Sequence, residues 1–314
     1  MRIDGLSGPE LISTNLSGGQ KVGRLTSRTM RPAIAGHPVN PKTPPVASLG
    51  ALGPLEISLV RSKRDLKRVQ RLRYEVFYKH GSASADVIGY LTRRDFDDFD
   101  AICDHLMVVD RSQRHSADGE PPVVGTYRLL AQEVAAEHRG FCSASQFDIS
   151  GLLERHAGYR FLELGRACVL PAYRSRRAIE LLWHGVWRYV REQGVDVMIG
   201  CASFEGTNSE LLARPLSFLH HFALAPEPWR ASAHTSRRVE MNMMERGEID
   251  IDSARRELPP LIKGYLRAGA YVGDGAVIDP RFGTTDVLIV LPVAAISPRY
   301  IRYFGADAQR HAAG

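Results

Sequence analysis

Two charges inside an otherwise apolar run mark the first place where this sequence could do chemistry. Glu163 and Arg166 lie within Phe161–Leu170, where the other residues are apolar on both parities. That pattern predicts a strand buried on both faces, in which a charge is costly unless it is paired or used. Residues three apart would point to opposite faces of a regular strand. Gly165 between them marks a bulge that would bring both to one face. Two readings stay open: a carboxylate and a guanidinium held for proton transfer and charge stabilisation, or a structural ion pair at a sheet rim.

Just downstream, Arg174, Arg176 and Arg177 follow Pro171 at the entrance of a helix expected from Arg177 to Gln193, with Ile179, Leu182, Val186, Tyr189 and Val190 at helical spacing. Cations oppose the dipole at a helix N-terminus unless an anion binds there. The cluster therefore reads as a phosphate-type anion site, or else as solvated arginines of a surface loop. The run Arg93–Asp100 interleaves four acids with two aromatics. It is a solvated loop or a pocket for a cationic amine. Arg128 is a further charge in an apolar strand, whereas Arg73 and Phe77, four apart on a helix, fit ordinary amphipathic packing. His105 reads as structural and Cys168 as inert packing.

The elements that must position these residues follow from periodicity. Strands are expected at Leu55–Val60, Cys103–Val109, Val123–Leu130, the central run and Val195–Ser203. Helices are expected from Ser62 through Phe77, after the central strand, and through Leu211–Phe222 with Ser209 as cap. A short proline-started helix at Leu258–Gly269 precedes a hairpin of Ala270–Ile278 and Asp286–Leu291, with Gly273-Asp274-Gly275 as a turn signal.

The chain has 314 residues and net charge +6. Residues 1–54 hold six Lys/Arg against two acids, so the rest is nearly neutral, without the basic stripe of a nucleic-acid binder. That first segment, rich in Gly, Pro, Ser and Thr, reads as a disordered leader. No apolar run is long enough for a membrane span. Four cysteines without a CxxC pair argue against structural zinc and for a reduced, cytoplasmic setting, and no metal site is expected.

The order of elements resembles the GNAT acyltransferase fold: α/β (α+β), a mixed, mostly antiparallel sheet flanked by helices. Pro171–Ile179 looks like that superfamily's pyrophosphate turn, but Arg177 and Ile179 stand where glycines are usual, which disfavours free coenzyme A as donor. Arg73 with Phe77, Asp97 with Asp100, Gly125–Arg128 and Glu163 with Arg166 resemble acyl-homoserine-lactone synthases. Phe161–Cys168, Glu180–Gly185 and the tail from Leu258 through Gly283–Asp286 to Pro292 resemble the bacterial L-ornithine N(alpha)-acyltransferases of ornithine-lipid synthesis.

The resemblance covers residues 55–305, leaving 1–54 as leader and 306–314 as a flexible tail. It implies transfer of a 3-hydroxyacyl chain from acyl carrier protein to the α-amine of L-ornithine. Glu163 and Arg166 would be catalytic. Arg73, Phe77, Asp97, Asp100 and Arg128 would bind substrate, and Arg174, Arg176 and Arg177 would hold the phosphopantetheine phosphate and the carrier. No cofactor is expected beyond the phosphopantetheine-linked donor. The expected setting is cytoplasmic, with at most peripheral contact at the inner membrane for product release. The alternatives are an acyl-homoserine-lactone synthase or other amine acyltransferase, and a haemolysin-like membrane-binding module.

Overall fold

Alternating and fully apolar runs pair into one large sheet. The structure, a computed structural model, describes residues 48–113, 119–174, 176–298 and 300–301, with the side chain of Arg176 outside the description. Its strands are β1 (Gly50–Leu52), β2 (Leu55–Leu59), β3 (Asp104–Asp110), β4 (Val123–Ala131), β5 (Phe147–Asp148), β6 (Phe161–Val169), β7 (Val197–Glu205), β8 (Ser232–Ala233), β9 (Arg238–Val239), β10 (Tyr271–Asp279) and β11 (Thr284–Pro292). The sheet order is β1-β2-β3-β4-β6-β7-β11-β10-β8-β5, with β9 also on β10. Pairing is antiparallel except for β6 with β7 and β8 with β10. This is the mixed sheet expected from the sequence.

Helices cover both faces: α1 (Lys63–Tyr74), α2 (Val87–Thr92), α3 (Gln132–Glu137), α4 (Ser150–Arg155), α5 (Arg176–Gln193), α6 (Ala213–Ala223), α7 (Ile251–Glu257) and α8 (Pro260–Ala268). Ser62 caps α1 by accepting from the Asp65 amide, and the helix runs on into one π turn at Glu75–Lys79. The central helix α5 buries Ala178, Leu181, Leu182, Val186, Tyr189 and Val190 against the first core, which includes Ile57, Leu106, Leu129 and Leu162. Gly185 lets it approach the sheet, because a Cβ there would come within 2.4 Å of Ile57 Cδ1. The opposite face is a second core of Leu130, Phe147, Phe161, Ile199, Leu288 and Val290, with α3 and α4 beside it.

Three expectations need correction. Residues 50–52 pair with β2, so part of the segment read as a leader belongs to the sheet; residues 1–47 and 306–314 lie outside the described residues. The Gly273-Asp274-Gly275 stretch is no turn. It is an irregularity within β10, where pairing with β11 shifts between Val272 and Ala276, and the reversal falls at Pro280–Gly283. Asn208, not Ser209, caps the turn that leads into α6. In each case tertiary pairing or a neighbouring cap won over a local signal.

Two irregularities in β6 shape the site. Its pairing with β4 shifts between Thr126 and Arg128, which face Cys168 and Gly165, so β6 carries one extra residue there. The bulge foreseen near Gly165 is present, and Arg166 itself takes the left-handed conformation at φ 51°. A non-glycine residue there costs about 1–3 kcal/mol, a strain found where surrounding structure over-determines it. In addition, β6 and β7 pair only from Phe161 with Val197 to Glu163 with Ile199, although both strands continue for six more residues. Gly200 marks the parting point, since a Cβ there would come within 2.2 Å of the Leu164 carbonyl oxygen.

Candidate active site

A polar seam crosses the sheet on the face of the second core. Side chains alternate along each strand, so Arg128 shares a face with Leu130, Glu163 with Phe161, Cys201 with Ile199 and Asp286 with Leu288. His105 opposite Arg128 extends the seam onto β3.

At its centre three arginines meet three aspartates. Arg73, fully buried on α1, donates to Asp95 Oδ2 at 2.8 Å, to Asp100 Oδ1 at 2.7 Å and Oδ2 at 2.9 Å, and to the Asp95 carbonyl at 2.8 Å. Arg128 donates to Asp97 Oδ1 at 2.5 Å and Asp100 Oδ1 at 3.1 Å. Arg166 reaches Asp97 Oδ2 at 2.9 Å and lies 3.3 Å from Asp95 Oδ2. Burial opposes ionisation of Asp100, yet Arg73 and then Arg128 outweigh it and hold its carboxyl at about 2. Asp95 is likewise lowered: burial works against ionisation, and Arg73 and Arg166 prevail. These carboxylates are too well satisfied to take protons at neutral pH. Removing one partner from such buried pairs costs about 3–5 kcal/mol.

The aromatic residues complete the wall. The Arg166 guanidinium lies 4.6 Å from the Phe282 ring centroid, and Phe77 meets Phe282 edge-on at 5.7 Å. Tyr78 donates to Asp95 Oδ1 at 2.9 Å. The structure therefore brings together Arg73, Phe77, Asp97, Asp100, Arg128 and Arg166, whose spacing alone suggested only ordinary packing for the first two.

Glu163 stands apart from this balance. Both its oxygens accept backbone amides, Oε2 from Cys142 and Oε1 from Ser143, each at 2.7 Å, so it grips the first turn of the helical segment Cys142–Ser145. Burial raises its pKa, while the hydrogen bonds from Ser143 and Cys142 and the charge of Arg128 hold it back. It forms no ion pair with Arg166 among the described residues, contrary to the structural-pair reading; Arg166 is taken by Asp95 and Asp97.

Across the β6/β7 gap, sequence spacing missed a second carboxyl. Asp286 is buried and accepts from Gln146 Nε2 at 3.1 Å and Thr284 Oγ1 at 2.9 Å, with Ser203 a further donor. Burial raises its pKa against these neutral donors. Cys201 lies between the two carboxyls and donates to Gln146 Oε1 at 3.1 Å; burial drives its thiol well up, followed by Asp286 and Glu163. Neither Glu163 nor Asp286 is in an ion pair among the described residues.

The helix entrance lies apart from the seam. Arg174 and Arg177 are exposed, Arg174 Nε donating to the Val169 carbonyl at 3.3 Å at the end of β6. Ile179 in the first turn of α5 is 40% exposed. His105 bonds the Asp100 carbonyl at 3.3 Å, and burial lowers its pKa, so it is neutral framework. Burial pushes the Cys168 thiol up to about 12, and it packs with Leu72 and Val76. Among the described residues no group of three or more His, Cys, Asp or Glu could hold a metal ion, and no helix is long and apolar enough to cross a membrane.

The GNAT acetyltransferase domain family matches residues 72–184, the stretch from α1 to α5 that carries the arginine–aspartate cluster. An L-ornithine N(alpha)-acyltransferase of Agrobacterium fabrum is 49% identical over 261 residues, covering 83% of this chain and 88% of that protein. The one from Rhizobium meliloti is 50% identical over 262 residues, with the same coverage of each. The chain belongs to the L-ornithine N(alpha)-acyltransferase family. Among solved structures, an N-acyl amino acid synthase from uncultured soil microbes aligns with 76% of this chain and 91% of its own, at 10% identity and a TM-score of 0.41. As a member of an acyltransferase family, the enzyme presents its buried seam beside a parted strand pair. By the alternation of strand hydrogen bonding, about half of the backbone groups of β6 beyond Glu163 must face that gap.

Proposed function

We propose that this acyltransferase moves a 3-hydroxyacyl chain from acyl carrier protein to the α-amine of L-ornithine. The observation that carries the acceptor is the charge count of the seam. Arg73, Arg128 and Arg166 pair with Asp95, Asp97 and Asp100, with the half-exposed Arg281 3.7 Å from Asp95 at the rim, and none of these arginines is ion-paired with Glu163 or Asp286, buried carboxyls in no ion pair among the described residues. A diamino acid brings a cation for each. In this reading the α-amine lies by Glu163 and the δ-ammonium by Asp286.

The reaction needs little beyond placement, because a thioester is already activated. Glu163, whose burial favours the protonated form, takes a proton from the α-ammonium. The amine nitrogen attacks the carbonyl carbon, and β6 amides facing the gap stabilise the oxyanion. The C–N bond forms, the C–S bond breaks, and the second amine proton goes to the departing thiolate. Arg166, fixed by Asp95, Asp97 and Phe282, supplies positive charge beside this step.

Support for a carrier-protein donor comes from the helix entrance. Arg177 and Ile179 are exposed there beside Arg174, an apolar centre with a cationic rim suited to an acidic carrier and the phosphate of its phosphopantetheine. The test assays the purified enzyme with 3-hydroxyacyl carrier protein and 3-hydroxyacyl-coenzyme A against ornithine, lysine, glutamine and S-adenosylmethionine separately. The expected product is Nα-acylornithine from the carrier-protein donor. The donor KM should rise with salt, since docking charges are screened over about 8 Å at physiological ionic strength. Preference for S-adenosylmethionine, or equal salt-insensitive turnover with the coenzyme A donor, would contradict the proposal.

A further inference from the structure

One surface outside the seam is unlike the rest of the molecule. Eight large apolar residues are exposed among the described residues, and four of them crowd one short helix: Val87 at 74%, Ile88 at 60%, Tyr90 at 59% and Leu91 at 73% on α2. Single exposed apolar residues are ordinary, but a contiguous patch is a contact surface. The helix turns its one small residue inward. Gly89 is buried, its amide bonded to the Asp86 carboxylate at 2.6 Å, and a Cβ at this position would lie 3.2 Å from the Arg94 carbonyl oxygen. All the bulk therefore faces solvent on a convex tip.

The exposed charge that touches that tip is positive. Arg93 is exposed, takes a left-handed conformation at φ 52° and lies 5.4 Å from the Tyr90 ring centroid. Lys79 and His80 precede the helix on the same exposed stretch, Lys79 paired with Glu75 at 2.6 Å and His80 3.4 Å from the same carboxylate. Arg281, with 43% of its side chain exposed, follows from the β10–β11 turn, to which the approach to α2 is bound through Ser84 N donating to the Arg281 carbonyl at 2.8 Å. The acid at the helix start, Asp86, is engaged in capping.

We propose that α2 is a membrane-interface anchor that inserts Val87, Ile88, Tyr90 and Leu91 into the surface of an anionic bilayer, with Arg93 at the phosphates. A convex apolar tip with an aromatic residue and a cationic rim suits a lipid surface, which needs no complementary groove. Anionic lipid attracts each nearby Lys or Arg and so adds to the apolar insertion. The anchor is tied to the active site at both ends. Its C-terminal side leads directly into Asp95 and Asp97, and its N-terminal side rests on the turn carrying Phe282, against which Arg166 stacks. Docking by α2 holds the Arg166–Asp97 end of the seam near the bilayer, into which an acylated product partitions. The inference goes beyond the ornithine reading and does not need it.

The test is flotation of the full-length enzyme with vesicles of phosphatidylcholine alone, or with about one third phosphatidylglycerol to reproduce an anionic leaflet. The wild type should float with the anionic vesicles, and Ile88→Ser/Leu91→Ser should bind at least about tenfold more weakly, since affinity scales with buried apolar area. Arg93→Gln should weaken binding to anionic vesicles only. Leu211→Ser, at an exposed apolar residue elsewhere, should change nothing. Acyl transfer with soluble substrates should be unaltered in the double variant. Absence of wild-type flotation, or equal flotation of the double variant, overturns the proposal. So does a double variant whose defect is loss of self-association or a raised donor KM.

Discussion

In the proposed reading, Asp286 is the residue on which acceptor choice turns. Buried carboxyls are ordinarily paired with cations, as Asp95 and Asp100 are with Arg73, but the donors to Asp286 are neutral. If it receives the δ-ammonium, Asp286→Asn removes one charged hydrogen bond, worth about 1.5–3 kcal/mol. The ornithine KM should then rise roughly 10- to 100-fold, while a neutral-chain acceptor such as norvaline is used no worse than before. An equal loss with both acceptors would mean that Asp286 only holds Gln146 in place. Nothing in the local sequence separates this residue from a strand-edge acid. Its burial depends on Gln146, 140 positions away, whereas Glu163 announced itself by lying in an apolar run.

Between elements, the critical contact is α5 on the sheet. Gly185 permits it, so Gly185→Ala forces a methyl against the fully buried Ile57 side chain and near Leu106. Overpacking costs about 1–3 kcal/mol, offset by up to about 1 kcal/mol of helix propensity. Urea unfolding should show a net loss, part of which Ile57→Val restores; a stabilised Gly185→Ala would mean that the helix can shift freely. The longer elements were legible from alternation, from helical spacing or from a continuous apolar run, as for β2, β3, β4, β6, β7, α5 and β11, and α8 from its opening proline and closing glycine. The two- and three-residue strands β1, β5, β8 and β9 have no period to read. They exist because a longer strand offers them an edge. Likewise α2 breaks the amphipathic rule by exposing its apolar side chains.

For the molecule as a whole, the buried carboxyls set opposing pH dependences. Asp95 and Asp100 have folded pKa values below the ordinary 3.8, so their stabilisation is complete above about pH 4 and is lost as pH falls through the folded values, about 2 for Asp100. Glu163 and Asp286 are raised, so the stability they contribute is present in acid and declines as pH rises through their folded values. On mild acidification that gain opposes the loss from His105, whose pKa burial lowers, so melting temperature should change little there and drop steeply between pH 4 and 2. A steep loss already on leaving neutral pH would contradict the assignment. Resemblance made Arg73, Asp97, Asp100, Arg128 and Arg166 visible as a set, but only the fold could show that they satisfy one another. That mutual satisfaction leaves proton transfer to a residue outside the cluster.

The most direct measurement is the turnover of Glu163→Gln with saturating carrier-protein donor and ornithine. Glutamine keeps the shape and an oxygen for one of the two amide bonds, from Cys142 or Ser143, while removing the proposed base. A positioned base contributes about 10²- to 10⁴-fold, so kcat should fall by that factor with the donor KM little changed, in a variant whose circular dichroism matches the wild type. A folded Glu163→Gln enzyme with near-wild-type kcat at neutral pH would contradict the account and leave Glu163 as the clamp of the 142–145 turn alone.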